Sequence, residues 1–200
     1  MLCSEACHAG LYPFNDRITQ LYKFIGEQTG LPKNANISCE NIFCGMGIPF
    51  IYKFCLREKN LDFENSSKTG KEIFDAGLNN QDEAATETVN LFVKILASSL
   101  QHIAAMMTPH SGIILSAGSI LRNLKDLMLE DVSKGVDESQ FLSTFLNNPA
   151  FKGFLETVPI YLCLQDELNL FGCRVTNICK FLPFSFSRCC IISKAHLRIS

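Results

Sequence analysis

The feature that most constrains the fold is an apolar stripe in the middle of the chain. Its members recur at the three- and four-residue steps of one helical face: Val89, Phe92, Leu96, Leu100, Ile103 and Met107. Ile95 and Ser99 widen the stripe, so we expect much of this helix to be buried. The same spacing assigns the pair Met106-Met107 to the core. Pro109 ends the helix, because a residue before proline disfavours the helical region.

Helical and strand-like segments alternate around this helix. Helical spacing is predicted over residues 15–26, 48–56, 71–77 and 120–132, with a further helix beginning at Asp137 or Ser139. Asn15 or Asp16 is the expected cap of the first helix. Short apolar runs at 112–116 and 159–164 are predicted to be buried strands. This order predicts an α/β fold with a mainly parallel sheet and crossover helices.

Composition narrows the classes of function. The apolar fraction of 47% and the charged fraction of 19% are typical of globular proteins. A net charge of −2 gives no electrostatic argument for a nucleic-acid partner. No apolar run approaches the roughly 18–20 residues of a membrane span, and no signal-peptide pattern marks the N-terminus. We therefore expect a cytoplasmic protein with no membrane span.

The chain has ten cysteines, but none of them forms a Cys-x-x-Cys pair or another spacing typical of a zinc site. Cys3, Cys7 and His8 could form part of a metal site, although no fourth ligand is visible. Cysteines of loops and of the core are the favoured interpretation. No metal ligands are therefore predicted in this chain.

Two short runs place a carboxylate among small residues. One is Ser4-Glu5-Ala6-Cys7-His8, and the other is Ser38-Cys39-Glu40-Asn41-Ile42-Phe43-Cys44-Gly45-Met46-Gly47; both are predicted to be loops. A carboxylate accepts hydrogen bonds from hydroxyls, and a neutral imidazole donates one and accepts one, which suits a hexose. Each such bond contributes about 1.5–3 kcal/mol. In the alternative interpretation, Glu5 and His8 are simply solvated and Glu40 is a charge before the helix at 48–56.

These two runs resemble the Glu-x-x-His and Ser-x-Glu-x-x-x-x-Gly-x-Gly segments of bacterial-type glucokinases. In that family the two segments bind the same glucose molecule. Three further segments are similar in the same order: residues 70–76 with Leu91-Phe92, residues 112–122, and residues 158–161 with 170–172. The resemblance implies one lobe of the actin-like, hexokinase-type (ribonuclease-H-like) fold, with ATP and Mg²⁺ as cofactors. It implies that Glu5, His8 and Glu40 bind glucose and that Ala117, Gly118 and Ser119 line the adenosine site.

Other motifs of that family are missing from the sequence. Neither the Asp-x-Gly-x-Thr phosphate loop nor the Asn-Asp pair that supplies the general base can be found. Ala6, Cys7 and Ser119 stand where the family has glycines. The resemblance therefore implies a C-terminal lobe over residues 1–172, with no catalytic residue of its own. Residues 173–200 form a basic tail rich in Cys, Phe and Ser, for which a terminal helix and a loosely ordered end are favoured over a membrane or partner contact.

The resulting functional hypothesis is a glucokinase-type sugar kinase that transfers the ATP γ-phosphoryl group to the 6-hydroxyl of glucose, in a form that lacks the base. Two alternatives remain open. One is a non-catalytic sugar- or partner-binding remnant, and the other is half of a split enzyme that recovers its first lobe from another chain. A homodimer is a further option for the partner.

Overall fold

Helices dominate the protein, and a small sheet lies towards its C-terminal end. The computed structural model describes residues 8–33, 35–116, 119–163 and 189–192. The elements are α1 (Asp16–Thr29), α2 (Cys39–Phe43), α3 (Gly47–Glu58), α4 (Gly70–Leu78), α5 (Glu83–Met107), β1 (Ile113–Ser116), α6 (Ser119–Ser133), α7 (Gln140–Phe145), α8 (Lys152–Leu155), β2 (Ile160–Cys163) and β3 (Cys189–Ile192). The chain divides into two compact units, Met1–Ser99 and Leu100–Ser200.

Helix α1 begins where the sequence predicts and continues three residues beyond the predicted end at residue 26. The Asn15 side chain caps it by accepting a hydrogen bond of 2.9 Å from the Ile18 N–H. Gly30 ends it in the left-handed region at φ 68°, where glycine carries no steric cost. The predicted apolar face is buried, and its members are Ile18, Leu21, Tyr22 and Ile25. This helix therefore supplies one wall of the core of the first unit.

A polar network holds the start of α5. The Asp82 carboxylate accepts hydrogen bonds from the Tyr52 hydroxyl and from Lys68 Nζ, each at 2.6 Å, and from the Ala85 N–H at 3.1 Å. Burial alone raises the pKa of Asp82, but these donors outweigh burial and lower that pKa to about 2. The network joins α3, the segment before α4 and the first turn of α5.

Helix α5 confirms the predicted stripe over most of its length. Val89, Phe92 and Leu100 are buried. The helix is long and apolar enough to cross a bilayer, but 61% of its most apolar window is buried inside the protein, as in the core helix of a globular domain. The assignment of Met106-Met107 to the core is wrong: these side chains are 72% and 60% exposed, because the last turn of α5 lies at the surface.

The sheet has the order β1-β2-β3. Strands β1 and β2 are parallel neighbours, with Ile113 opposite Ile160 and Leu115 opposite Leu162, which confirms the two predicted strands. Strand β3 is antiparallel to β2, so the described sheet is mixed rather than mainly parallel. At residues 189–192 the expectation of a loosely ordered tail is wrong, because this segment adds a strand to the sheet. The ribonuclease-H-like lobe stays a prediction.

The start of α7 is organised by a buried carboxylate from α6. Asp131 accepts hydrogen bonds from the Ser139 hydroxyl at 2.7 Å and from the backbone N–H groups of Gln140 and Phe141 at 3.0 Å each. Ser139, one of the two predicted caps, accepts from the Leu142 N–H at 2.9 Å. These bonds satisfy the first amides of α7, which would otherwise lack partners.

Candidate functional site

A short antiparallel pairing brings together the two runs that carry the predicted sugar ligands. The Leu11 N–H donates to the Ile37 carbonyl at 2.7 Å, and the Cys39 N–H donates to the Ala9 carbonyl at 3.1 Å. Between these bonds, residue 10 forms a β-bridge with residue 38. Because the strands run in opposite directions, the residue before Ala9 and the residue after Cys39 lie at the same end of the pairing.

Those two residues are His8 and Glu40. His8 Nδ1 lies 3.3 Å from Glu40 Oε2, and the two side chains are 65% and 56% exposed. The structure therefore brings two of the three predicted sugar ligands into contact, at a place that solvent reaches. The third, Glu5, lies outside the described residues.

The prediction of a loop around Glu40 is wrong, because Glu40 lies in the first turn of the short helix α2. The Asn41 side-chain oxygen accepts hydrogen bonds from the Ser38 N–H at 2.8 Å and from the Ser38 hydroxyl at 2.9 Å, which fixes the entry to that helix. A carboxylate at a helix N-terminus is stabilised by the unpaired amides there. Glu40 thus has a structural role at α2 rather than at the helix that follows, and this role is compatible with ligand binding.

The second glycine of the Gly-x-Gly pattern is required by close packing between α2 and α3. A Cβ atom at Gly47 would collide with the Ile42 carbonyl oxygen and would lie 2.6 Å from the Asn41 carbonyl oxygen. Gly45 has no such neighbour within 4 Å. Ile42 and Ile48, on the two helices, are both fully buried. Gly47 therefore lets α3 hold α2, and with it Glu40, in place.

The predicted adenosine contacts fall at the connection between β1 and α6. Ala117 and Gly118 lie outside the described residues, and Ser119 is the first residue of α6. The connection leaves the carboxyl end of a strand in a parallel pair and enters a 15-residue helix with no acidic residue in its first turn. Backbone amides in such a position favour the phosphates of a nucleotide. The roles of Ala117, Gly118 and Ser119 stay predictions.

Metal-binding clusters do not occur in the part of the chain that the structure describes: no three His, Cys, Asp or Glu side chains are grouped to hold an ion. Cys55 is buried, and burial raises the pKa of its thiol to about 11, so this thiol is neutral near pH 7. Cys3 and Cys7 lie outside the described residues.

The fold is that of solved glucokinases. The crystal structure of glucokinase from an Antarctic psychrotroph superposes with a TM-score of 0.72 at 22% identity, covering 88% of this chain and 49% of that one. The crystal structure of glucokinase from Balamuthia mandrillaris in complex with glucose gives a TM-score of 0.73 at 22% identity, covering 86% and 46%.

Sequence comparison agrees with the fold. Residues 1–178 match the family model described as Glucokinase. The glucokinase of Nostoc punctiforme is 26% identical over 188 residues, which is 84% of this chain and 51% of that protein. A glucokinase of Neisseria meningitidis is 21% identical over 86% of this chain and 47% of its own length. The chain belongs to the glucokinase family and spans about half the length of the relatives it matches.

Proposed function

We propose that this chain is the glucose-binding part of a glucokinase-type sugar kinase, in which Glu5, His8 and Glu40 hold hydroxyl groups of the sugar. The observation that carries the proposal is the contact between His8 Nδ1 and Glu40 Oε2 in a member of the glucokinase family. A carboxylate with an imidazole in contact offers hydrogen-bond acceptors to the hydroxyl groups of a hexose. Their exposure allows a sugar to reach them without unfolding any element.

Each residue has a separate part in the proposed site. Glu40 accepts from sugar hydroxyls, which are good donors to an anionic oxygen. His8 orients the Glu40 carboxylate through Nδ1 and also contacts the ligand. The packing of Gly47 against α2 fixes the position of the Glu40 backbone. The sugar would therefore bind to a carboxylate on a helix rather than on a mobile loop.

The proposed cofactor is ATP with Mg²⁺. In this proposal Ala117, Gly118 and Ser119 contact the adenosine. Bound ATP supplies the γ-phosphoryl group, and Mg²⁺ neutralises charge on its phosphates. The residues of this chain bind and orient, whereas the general base and most phosphate contacts belong to the part of the family fold that the chain does not match. A cytoplasmic location is part of the same proposal.

Calorimetric titration of the purified chain with glucose tests the sugar site. We expect Glu40→Gln to weaken binding by about 1–3 kcal/mol, the effect of losing one charged hydrogen-bond partner. Glu64→Gln is the matched control, because Glu64 is also an exposed carboxylate of the first unit. Equal glucose affinity in wild type and Glu40→Gln would remove Glu40 from the site.

A further inference from the structure

A cavity of about 530 Å³ lies beside helix α1 in the first unit. Its volume falls within the roughly 300–1,000 Å³ that is typical of small-molecule sites. The buried side chains of Leu11, Tyr22 and Ile37 line it, together with one face of α1 and the segment 31–36 that follows. Neither His8 nor Glu40 lines this cavity, so the proposed sugar site does not use it.

The Tyr22 hydroxyl is a donor that lacks a protein acceptor. Tyr22 is only 8% exposed, yet its hydroxyl makes no hydrogen bond to another of the residues that the structure describes. Burial, with a smaller contribution from the charge of Cys39, raises the pKa of Tyr22, so the hydroxyl stays protonated near pH 7. Buried hydroxyls normally have a partner. Because Tyr22 lines the cavity, an acceptor bound there would supply the missing partner.

The charged side chains of the cavity favour an anion. Lys23 and Lys33 line it and are exposed, and neither forms an ion pair with any residue in the described part of the chain. Glu27 lines the cavity as well, so two positive charges and one negative charge leave a net charge of +1. This balance suits a singly charged anion better than a phosphate dianion, which Glu27 would repel more strongly.

We propose that this cavity binds a small monocarboxylate with an apolar body. The carboxylate accepts a hydrogen bond from the Tyr22 hydroxyl and is attracted by Lys23 and Lys33, while the apolar body contacts Leu11 and Ile37. The proposed glucokinase activity involves no such ligand, and this inference does not depend on the sugar site.

Binding has a consequence for the backbone beside the cavity. The Leu11 N–H donates to the Ile37 carbonyl at 2.7 Å, and both residues line the cavity. A ligand that covers the two side chains opposes separation of the segments that carry them. We therefore expect exchange of the Leu11 amide to slow at least about threefold when the site is saturated. NMR amide exchange on the full chain measures this.

Three probes separate the contributions of charge and apolar body. Calorimetric titration of the full chain uses octanoate, acetate, which lacks the apolar body, and octylammonium, which has the same chain and the opposite charge. We expect octanoate to bind with a dissociation constant of about 1 mM or lower, the range open to a ligand of its size. Acetate and octylammonium should bind at least about tenfold more weakly. Equal binding of octanoate and octylammonium would contradict the preference for an anion, and equal binding of octanoate and acetate would contradict the apolar contact.

A substitution that fills the cavity locates the site. Gly26 lines the cavity, and a Cβ atom there would meet only Ile37 Cδ1, at 3.9 Å. Gly26→Leu should therefore remove octanoate binding without destabilising the protein, since leucine is also the better helix former. Gly153→Leu is the matched control, because a Cβ atom at Gly153 meets nothing within 4 Å and this helix lies in the second unit. Unchanged octanoate binding in Gly26→Leu, or an equal loss in both variants, would overturn the assignment to this cavity.

Two further variants test the polar contacts. Tyr22→Phe keeps the ring and removes the donor, so octanoate binding should weaken about threefold to tenfold. Lys23→Gln should weaken it about twofold to fivefold, because an exposed charge contributes less. Lys71→Gln is the control for the lysine variant, since Lys71 is exposed and does not line the cavity. Equal octanoate affinity in wild type, Tyr22→Phe and Lys23→Gln would show that these groups do not hold the carboxylate, and the proposal would fail.

Discussion

His8 Nδ1 lies 3.3 Å from Glu40 Oε2, although 31 residues separate the two in the chain. The contact depends on the antiparallel pairing of residues 9–11 with 37–39 and on the position of Glu40 in the first turn of α2. Neither residue is buried. The pair is therefore held in place by backbone structure, and its own contribution to folding is small.

This arrangement gives the first prediction. Glu40→Gln and His8→Ala should each change the free energy of unfolding by less than about 1 kcal/mol, because exposed ion pairs contribute little. Urea unfolding followed by circular dichroism measures this. A loss of several kcal/mol in either variant would mean that the pair is structural, and any effect of that variant on glucose binding would then have to be attributed to folding.

The second prediction concerns the packing of α2 on α3. Gly47→Ala should destabilise the protein by about 1–3 kcal/mol, since the new methyl group collides with backbone carbonyls that cannot rotate away. The same variant should weaken glucose binding, because relief of the clash moves α2 and Glu40. Thermal and urea unfolding measure the first effect, and calorimetry measures the second.

Gly45→Ala is the control for that variant. A Cβ atom at Gly45 meets nothing within 4 Å, so we expect a change within about 0.5 kcal/mol. Similar destabilisation by the two alanine variants would show that the contact at Gly47 is not the cause.

The sequence predicted the elements that depend on local pattern. The stripe of α1 and the two parallel strands are visible as spacing and as short apolar runs, because burial selects residue types at each position. Periodicity does not show where α5 leaves the core, because the apolar spacing continues past the last residue that the core covers. The assignment of Met106 and Met107 to the core was wrong for this reason.

The candidate site likewise combines features that a local pattern predicts with features that it does not predict. The chemistry of Glu40 and His8 suggested that they act together, but their contact arises from pairing between distant segments, which no local pattern records. Helix α2 was missed because five residues are too few to show a period. Strand β3 was missed because the tail around it was interpreted from its charge, whereas Ile191 and Ile192 are the β-branched residues that favour a strand.

A third prediction concerns acid stability at the start of α5. The pKa of Asp82 is about 2 in the folded protein and 3.8 without its partners, so the folded state binds the proton less tightly. The stabilisation is therefore complete above pH 5 and is lost as the pH falls towards 2. Asp82→Asn should lower the free energy of unfolding by about 1–2 kcal/mol near pH 7, since asparagine keeps the cap but loses the charged partner of Lys68.

The pH dependence distinguishes this mechanism from simple loss of packing. The difference between wild type and Asp82→Asn should shrink as the pH falls from 5 to 2, and urea unfolding at a series of pH values measures it. A difference that stays constant over this range would mean that the charge of Asp82 does not contribute to stability.

The fourth prediction concerns buried polar groups at α7. Asp131→Ala should destabilise the protein by about 2–4 kcal/mol, because it leaves the Ser139 hydroxyl and two backbone N–H groups without their acceptor. Asp126→Ala is the control on the same helix, since the Asp126 side chain is 86% exposed. Equal unfolding free energies for the two variants would contradict the role of Asp131.

The last prediction concerns activity. The chain alone should phosphorylate glucose very slowly or not at all, because removal of a general base typically costs about 10²–10⁴-fold. Under the same proposal, the phosphate contacts and the closing lobe of the family fold lie in the half that the chain does not match, and each contributes to the rate. Groups that act as a unit do not contribute additively, so the total loss cannot be obtained by adding these effects. An ATP-dependent coupled assay of the purified chain, with and without a separately supplied first lobe, measures the difference. Robust activity of the chain alone would mean that one of its own residues serves as the base, whereas activity that appears only with the first lobe would support the split arrangement.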